Sequence, residues 1–432
     1  MSRRVDRKER TIAIENREQL IFTLCEAATL EHMVMCGYLF TIFSLKRSTE
    51  EGVTDAQLLA LRRWERVIAG VAQQEMLHLA LVNNLLTSIG AAPYFGRPNF
   101  PHPTKYFGPG VQLALLPFSE KALRHFLYLE RPEGMSLKDV LVPQTGATAK
   151  RILTGEEIVP EKQDFATVGH LYRGIQQGFW DLSDKYGQSQ VFLGSSKTQA
   201  TGEYFGWPEL IAVTDLDSAM RAIDTIITEG EGARGDWRKA HFGKFFNVLS
   251  EYLEEEKKDS NFHPSRPVLA AYVHPPSDVR RADVITDPRT AGVANIFNAC
   301  YEVMLQILSR YFVQADTEPT ERQTLSKASV AMMIKAITPL GELLTKMPLG
   351  SHRPGKTAGP TFEMYQRSYL LPQRTPAMMI LNERLLEIAD YCLIQMKESG
   401  PAELKTIMQD LRGIATSLVP TALTDQISKV SL

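Results

Sequence analysis

The chain has 432 residues, of which 44% are hydrophobic and 23% charged, and its formal net charge is −2 at pH 7. This composition is ordinary for a globular protein, and the near-neutral charge gives no sign of a nucleic acid or an anionic membrane as partner. No run of about 20 apolar residues occurs, so no membrane span is predicted. Four scattered cysteines without a Cys-x-x-Cys pair favour a reducing, cytoplasmic location.

Apolar residues recur at helical spacing through most of the chain and predict an all-α fold. The predicted helices span residues 17–46, 55–89, 164–186, 215–230, 238–258, 290–314, 319–346, 375–397 and 401–416. The first two are about 30 residues long, which is typical of helix bundles. Thr54 is expected to cap the second helix, and Gly90 is expected to end it.

A stretch rich in proline and glycine, residues 91–163, separates the second and third long helices. It predicts a long crossover insertion that carries a short alternating apolar piece at 111–116 and a short helix at 120–130. We therefore expect a tail at 1–14, a four-helix bundle at 15–260 with this insertion, and additional C-terminal helices at 261–432 packed on the bundle.

Glu75 and His78 lie three residues apart on the second predicted helix, within its apolar stripe rather than opposite it. Residues at this spacing project from the same face of a helix. Burying an unpaired carboxylate costs several kcal/mol, so a partner must compensate, and a metal ion is the simplest choice. The spacing alone is a weak signal, since roughly one such pair is expected by chance in a chain of this size.

The same placement recurs on other predicted helices. Glu31 lies on the apolar face of the first helix, Glu231 follows an apolar stripe, and His241 heads the stripe of the next helix. A tyrosine, arginine or backbone partner would explain any one of them, but together they favour a shared metal site. On the third helix the candidate is His170, which lies away from the apolar face. That face is formed by Phe165, Val168, Tyr172, Ile175 and Phe179.

Helix bundles build two-metal centres from glutamates and Glu-x-x-His motifs on facing helices. The predicted ligands are Glu31, Glu75, His78, His170, Glu231 and His241. Oxygen and nitrogen ligands without thiolate favour iron, as one or two ions, with manganese or copper as alternatives. Open positions on such a centre can bind dioxygen. Tyr38 is interpreted as a core residue and Glu363 as a candidate cap over the cavity, and no catalytic side chain is assigned.

Short segments of this chain also resemble a known family. They lie at residues 28–39, 75–84, 90–103, 168–172, 229–232, 240–242 and 357–363. These segments are similar to the ferritin-like domain of violacein and rebeccamycin pathway proteins, the family named for iminophenyl-pyruvate dimer synthase. The resemblance covers roughly residues 15–395. It implies a ferritin-like bundle with a metal site at Glu31, Glu75, His78, Glu231 and His241.

Two departures from that family shape the expectation. The pathway enzymes carry a long additional region, so their imine-dimerising activity is not expected to transfer unchanged. Where the family is expected to place a glutamate on the third helix, this chain has His170. A neutral imidazole there removes one negative charge, which predicts that one metal ion is held tightly and a second is held weakly or not at all.

The expected function is an oxygen-dependent oxidoreductase with a non-haem metal. Its partners would be dioxygen and a small amino-acid-derived or natural-product substrate of secondary metabolism. Two other classes stay open: metal storage or detoxification, and an imine-coupling synthase or pathway scaffold without redox turnover. Storage ferritins use much shorter chains, whereas two long insertions and a helical C-terminal third suit a substrate pocket. A homo-oligomer is also left open.

Overall fold

The computed structural model is almost wholly helical in the part of the chain that it describes. That part comprises residues 12–103, 111–133, 135, 165, 167–232, 236–276, 283–313, 319–365, 370, 372–398 and 400–419. The helices are α1 (Arg17–Ser44), α2 (Asp55–Ser88), α3 (Glu120–Leu129), α4 (Val168–Tyr186), α5 (Gln188–Val191), α6 (Gly202–Phe205), α7 (Leu216–Gly230), α8 (His241–Lys258), α9 (Pro288–Val313), α10 (Pro319–Met332), α11 (Thr338–Leu344), α12 (Arg374–Lys397) and α13 (Leu404–Leu418). Three 3₁₀ turns, Thr49–Glu51, Ser196–Thr198 and Trp237–Lys239, and a π-helical turn, Met333–Ile337, complete them. The predicted all-α fold is confirmed.

The ends of the long helices follow from local capping. The Asn16 side chain accepts a hydrogen bond from the Gln19 amide at 2.9 Å and begins α1. At the start of α2, Thr54 accepts from the Gln57 amide at 3.2 Å while the Gln57 side chain accepts from the Thr54 amide at 2.9 Å. Gly90 has a φ of +86°, a left-handed conformation that ends a helix. The predicted cap and stop are thus confirmed.

Four helices close into a bundle. Helix α1 packs against α2 and α4, and α7 packs against the same two helices, so the four form a ring. Helix α8 lies on α2 and also packs against α3. The buried residues of these helices are mostly apolar, and a group of buried carboxylates and imidazoles lies among them.

The predicted insertion supplies one of these packing helices. In its described part, strands β1 (His102–Pro103) and β2 (Gln112–Leu113) pair antiparallel, and α3 then packs on α8. Residues 104–110, 134, 136–164 and 166 lie outside the described part, so the crossover there stays a prediction. The predicted helix at 238–258 begins only at His241, because Ala240 is extended (φ −73°, ψ 174°).

The C-terminal helices surround α9, which packs against α10, α11 and α12, and α12 pairs with α13. Helix α11 also contacts α1, and the buried apolar core runs through both regions. Glu363, expected over the cavity, is instead held by the Val273 and His274 amides at 3.0 Å each and by the Asn298 side chain at 3.2 Å. It therefore fastens its loop to the C-terminal region.

Two helices, α1 and α9, are by length and composition apolar enough to cross a membrane. In their most apolar windows, 78% and 67% of the residues are buried inside the protein. A buried core helix passes the same test, so this composition is weak evidence for a membrane span.

Candidate metal centre

Two groups of metal-ligating atoms meet inside the bundle and share one residue. Glu31, Glu75 and His78 form one group, and in each group the ligand atoms lie within 4.8 Å of one another. The other group consists of Glu75, Glu130 and His241, and all five residues are buried. Because Glu75 belongs to both, the groups form a single cluster with Glu75 at its middle.

The first half of the cluster is built on α1 and α2. The Nδ1 atom of His78 lies 3.0 Å from Glu75 Oε2 and 3.7 Å from Glu31 Oε2. The second oxygen of Glu31 accepts a hydrogen bond from the Tyr172 hydroxyl of α4. We call Glu31, His78, Tyr172 and the groups behind them the Glu31 half.

The second half repeats this plan with residues at the ends of α3 and α8. The Nδ1 atom of His241 lies 3.0 Å from Glu75 Oε1 and 3.5 Å from Glu130 Oε2. The other oxygen of Glu130 accepts a hydrogen bond from the Tyr38 hydroxyl. We call this set the Glu130 half. Tyr38, expected to be a core residue, is fully buried but also contacts the cluster.

The Nε2 atoms of the two imidazoles, the ring nitrogens that do not face Glu75, have different partners. His78 Nε2 lies 2.9 Å from Glu229 Oε2, whereas His241 Nε2 lies 3.3 Å from the amide oxygen of Gln74. A partner on the outer nitrogen fixes the tautomer and the orientation of a metal-binding imidazole. In both halves this leaves Nδ1 to face the carboxylates.

Burial and charge shift the titration of the carboxylates in opposite directions. Burial, together with the nearby charge of Glu75, raises the pKa of Glu31 to about 8. Burial would also raise the pKa of Glu75, but its contacts with His241 and His78 outweigh that cost and hold the pKa well below its usual range. Glu75 is therefore the ionised centre of the cluster.

The surrounding carboxylates raise the pKa of both imidazoles. Burial disfavours an imidazolium, but contacts with Glu229, Glu31 and Glu75 outweigh it and raise the pKa of His78 well above its usual value. In the same way Glu75 and Glu130 raise the pKa of His241 to about 9 against the cost of burial. A proton therefore competes with a metal ion for the nitrogen atoms of both imidazoles.

The donor set fits a metal ion. His241 Nδ1 is buried and makes no hydrogen bond, although Glu75 Oε1 lies only 3.0 Å away, so the two atoms are badly oriented for one. A buried nitrogen that lies beside carboxylates without a hydrogen bond suits a bound metal ion. Carboxylate oxygens and imidazole nitrogens without thiolate are ligands of iron and manganese.

The structure brings four of the six predicted ligands together: Glu31, Glu75, His78 and His241. Glu231 belongs to neither group. Its carboxylate accepts from the Gly169 amide at 2.7 Å and the Glu133 amide at 3.4 Å, and it lies 3.6 Å from Arg173. His170 is buried in the first turn of α4, where its amide donates to Thr167, and it is in neither group. The ligand roles of Glu231 and His170 stay predictions.

Sequence reasoning missed Glu130 and Glu229, although the same rule could have found them. Glu130 follows Leu123 by seven residues and Phe126 by four, so it continues the buried stripe of α3. On α7 the stripe that was read through Leu216, Met220, Ile223 and Ile227 pointed to Glu231. The buried set runs instead through Leu216, Ala219, Ala222, Ile223 and Ile226, which points to Glu229.

Fold and site together define a helix-bundle protein with a buried carboxylate–imidazole centre. A family model described as ferritin-like matches residues 24–250, which contain the whole cluster, and the chain belongs to that family. Its fold is therefore ferritin-like, as the resemblance implied.

Two curated relatives come from secondary metabolism, as the resemblance predicted. Dichlorochromopyrrolate synthase of Lentzea aerocolonigenes is 26% identical over 422 residues, covering 87% of this chain and 39% of that protein. The 2-imino-3-(indol-3-yl)propanoate dimerase of Chromobacterium violaceum is 26% identical over 376 residues, covering 80% of this chain and 34% of that protein. The chain thus spans well under half the length of these relatives. A crystal structure of a ferritin-like protein from Caulobacter vibrioides aligns with 76% of this chain and 94% of its own, at 17% identity and a TM-score of 0.48.

Proposed function

We propose that this protein is a metal-dependent oxidoreductase that acts with dioxygen on a small amino-acid-derived substrate in secondary metabolism. The observation that carries the proposal is the buried cluster in which Glu75 is shared by two groups of ligand atoms. Bundles with facing glutamates and histidines of this kind hold two-metal centres. Both curated relatives are named as enzymes, one of them for an imino acid derived from an indole-bearing amino acid.

Each half of the cluster would hold one ion. Glu31, Glu75 and His78 would bind the first, and Glu75, Glu130 and His241 the second. Iron is the metal we propose, with manganese or copper as alternatives that the same donors accept. When bound, the metal supplies a site for dioxygen and a path for electrons from the substrate.

The side chains around the cluster hydrogen-bond with the ligand residues and orient them. Burial and the neighbouring carboxylate raise the pKa of Tyr172 and of Tyr38 well above the usual value, so each phenol keeps its proton. The Tyr172 hydroxyl donates a hydrogen bond to Glu31, and the Tyr38 hydroxyl donates one to Glu130. Glu229 and Gln74 orient the two imidazoles from behind. Helices α1, α2 and α8 bury the ligands and exclude bulk water, which strengthens charge interactions inside the site.

The rival function is metal storage, and stoichiometry separates the two. The test is to load metal-free protein with ferrous iron without oxygen, to count the retained metal, and then to follow oxygen consumption with aromatic 2-amino and 2-imino acids. We expect at most a few ions per chain and oxygen uptake proportional to the organic substrate. Hundreds of ions per assembly, or ferrous oxidation as the sole reaction, would support storage. Retention of no metal would support a scaffold.

A further inference from the structure

One lysine at the edge of the cluster has no acidic partner at ion-pair distance. Lys244 lies on α8 one turn after His241, is half-buried, and donates a hydrogen bond to the Gln74 amide oxygen. Among the described residues its ammonium group forms no ion pair, and the carboxylates of Glu229, Glu75 and Glu130 pair with His78 and His241 instead. A partly buried cation without a direct counter-charge is costly.

This lysine lies where the cluster reaches the surface. The Glu229 side chain is 21% exposed, whereas the side chains of Glu75, His78 and His241 are at most 3% exposed. Gln74, whose amide oxygen accepts hydrogen bonds from His241 and Lys244, is also only partly buried. We call Gln74, Glu229 and Lys244 the open edge. Lys244 is therefore more accessible to a molecule from solvent than Glu75, His78 and His241 are.

The charge around Lys244 depends on the metal. In the metal-free protein, attraction by Glu229, Glu75 and Glu130 offsets part of the cost of burying this ammonium group. Two divalent ions would balance the charge of four carboxylates, the three of the cluster, Glu31, Glu75 and Glu130, and that of Glu229 behind His78. Lys244 would then carry one uncompensated positive charge at the open edge. A ligand with a single negative charge would neutralise it.

We propose that Lys244 binds the carboxylate of a small monocarboxylate ligand at the open edge once the cluster holds metal. The inference rests on the proposed function, because it takes the cluster to be a metal centre. It goes further in two ways. It names the ligand as a small organic molecule with one carboxylate, and it names Lys244 as the residue that selects this ligand. Lys244 is in this sense a positioning residue that orients the ligand toward the metal.

The experiment compares two nearly isosteric probes, 3-(indol-3-yl)propanoate and its neutral amide, by calorimetry on zinc-loaded protein, because zinc has no redox chemistry. We expect the wild type to bind the carboxylate about tenfold more tightly than the amide, the usual scale for a hydrogen bond to a charged group. Lys244→Met should abolish this preference by weakening carboxylate binding alone. Lys244→Arg should retain most of it.

The matched control is Lys257→Met, which removes the same charge from an exposed position on the same helix. It should bind both probes like the wild type. Circular dichroism and zinc content should be unchanged in every variant. In metal-free protein the surrounding carboxylates repel an anion, so the preference for the carboxylate should disappear there.

Equal binding of the two probes by the wild type would overturn the proposal. So would the same loss in Lys244→Met and Lys257→Met, since that would reduce the effect to overall charge. These outcomes, in protein that still holds metal and consumes oxygen, leave the proposed function standing. Protein that takes up no zinc or iron would overturn both, and metal analysis identifies that case before any ligand is added.

Discussion

The Glu31 half and the Glu130 half of the cluster are assembled from the same parts. Each has its own glutamate, one imidazole and one tyrosine hydroxyl, and both share Glu75. They differ behind the imidazole, where His78 meets the carboxylate of Glu229 and His241 meets the amide of Gln74. A carboxylate in this position makes the imidazole a stronger ligand than an amide does. The Glu31 half should therefore bind its metal more tightly.

The groups behind the imidazoles give a reason for unequal metal affinity that does not involve His170. From the sequence alone, the inequality is predicted because His170 lies where the family is expected to place a glutamate. In the structure the third helix of the bundle turns Tyr172 toward the cluster, and the third carboxylate comes from Glu130 in the insertion. The inequality is still predicted, and the pair Glu229 and Gln74 gives it a second cause, while the role of His170 stays a prediction.

The largest effect should follow loss of the shared ligand. Glu75→Ala should abolish tight binding of both metal ions, whereas Glu31→Ala should abolish only one, because Glu75 alone belongs to both groups. Metal analysis after anaerobic loading and desalting measures this. Glu254→Ala is the control, since that residue is exposed on α8 and belongs to neither group. Helical circular dichroism should remain near wild type, and full metal retention in Glu75→Ala would show that this residue is structural.

The next effect concerns the groups behind the imidazoles. Glu229→Gln should weaken metal binding in the Glu31 half by roughly 10- to 100-fold and bring the two affinities together. Gln74→Glu should strengthen metal binding in the Glu130 half, which should also bring the two metal affinities closer together. Competitive zinc titration of both variants measures the two constants. Two wild-type sites of equal affinity would remove the distinction between the halves.

Metal binding should strengthen as pH rises. The pKa of Glu31 is raised to about 8 and that of His241 to about 9, so both are protonated at pH 7 in the metal-free protein. A metal ion must displace these protons, and each displaced proton lowers affinity about tenfold per pH unit below its pKa. Zinc titrations between pH 6.5 and 9, in buffers of different ionisation enthalpy, give affinity and proton release. A flat profile would contradict the protonated cluster.

The smallest effect should come from the two phenols. Tyr172→Phe removes the hydroxyl that holds Glu31, and Tyr38→Phe removes the one that holds Glu130. Each should weaken metal binding about tenfold or less, and only in its own half, because one hydrogen bond to a carboxylate is lost. Titration of cobalt, followed by its absorption spectrum, distinguishes the halves. A change in both halves from either variant would mean that the hydroxyls support the fold instead.

The sequence predicted the helices well because their signals are local. The expected span 55–89 is observed as Asp55–Ser88, and its cap and stop residues were identified. Glu31, Glu75 and His78 were found because they interrupt long, strongly apolar stripes. The fold also follows from the family to which residues 24–250 belong.

The identity of the other site residues depends on which face each helix turns inward when the helices pack. Ala219 and Ala222 are buried on α7, but alanine gives a weak hydrophobic signal, so the stripe was read through larger neighbours and pointed to Glu231. Glu130 ends a short helix inside an irregular insertion, where periodicity has little length to act on. Gln74 and Lys244 are polar residues near the surface. Only the packed structure shows that Gln74 hydrogen-bonds with His241 and that Lys244 donates to Gln74.

The central claim is that Glu75 joins two metal positions. It is tested most directly by a crystal structure of protein loaded anaerobically with ferrous iron, with anomalous diffraction recorded at the iron edge. The account predicts two anomalous peaks, one bound by Glu31 and His78 and one by Glu130 and His241, with a Glu75 oxygen on each. A single peak away from Glu75, or iron bound through His170 or Glu231, would contradict it.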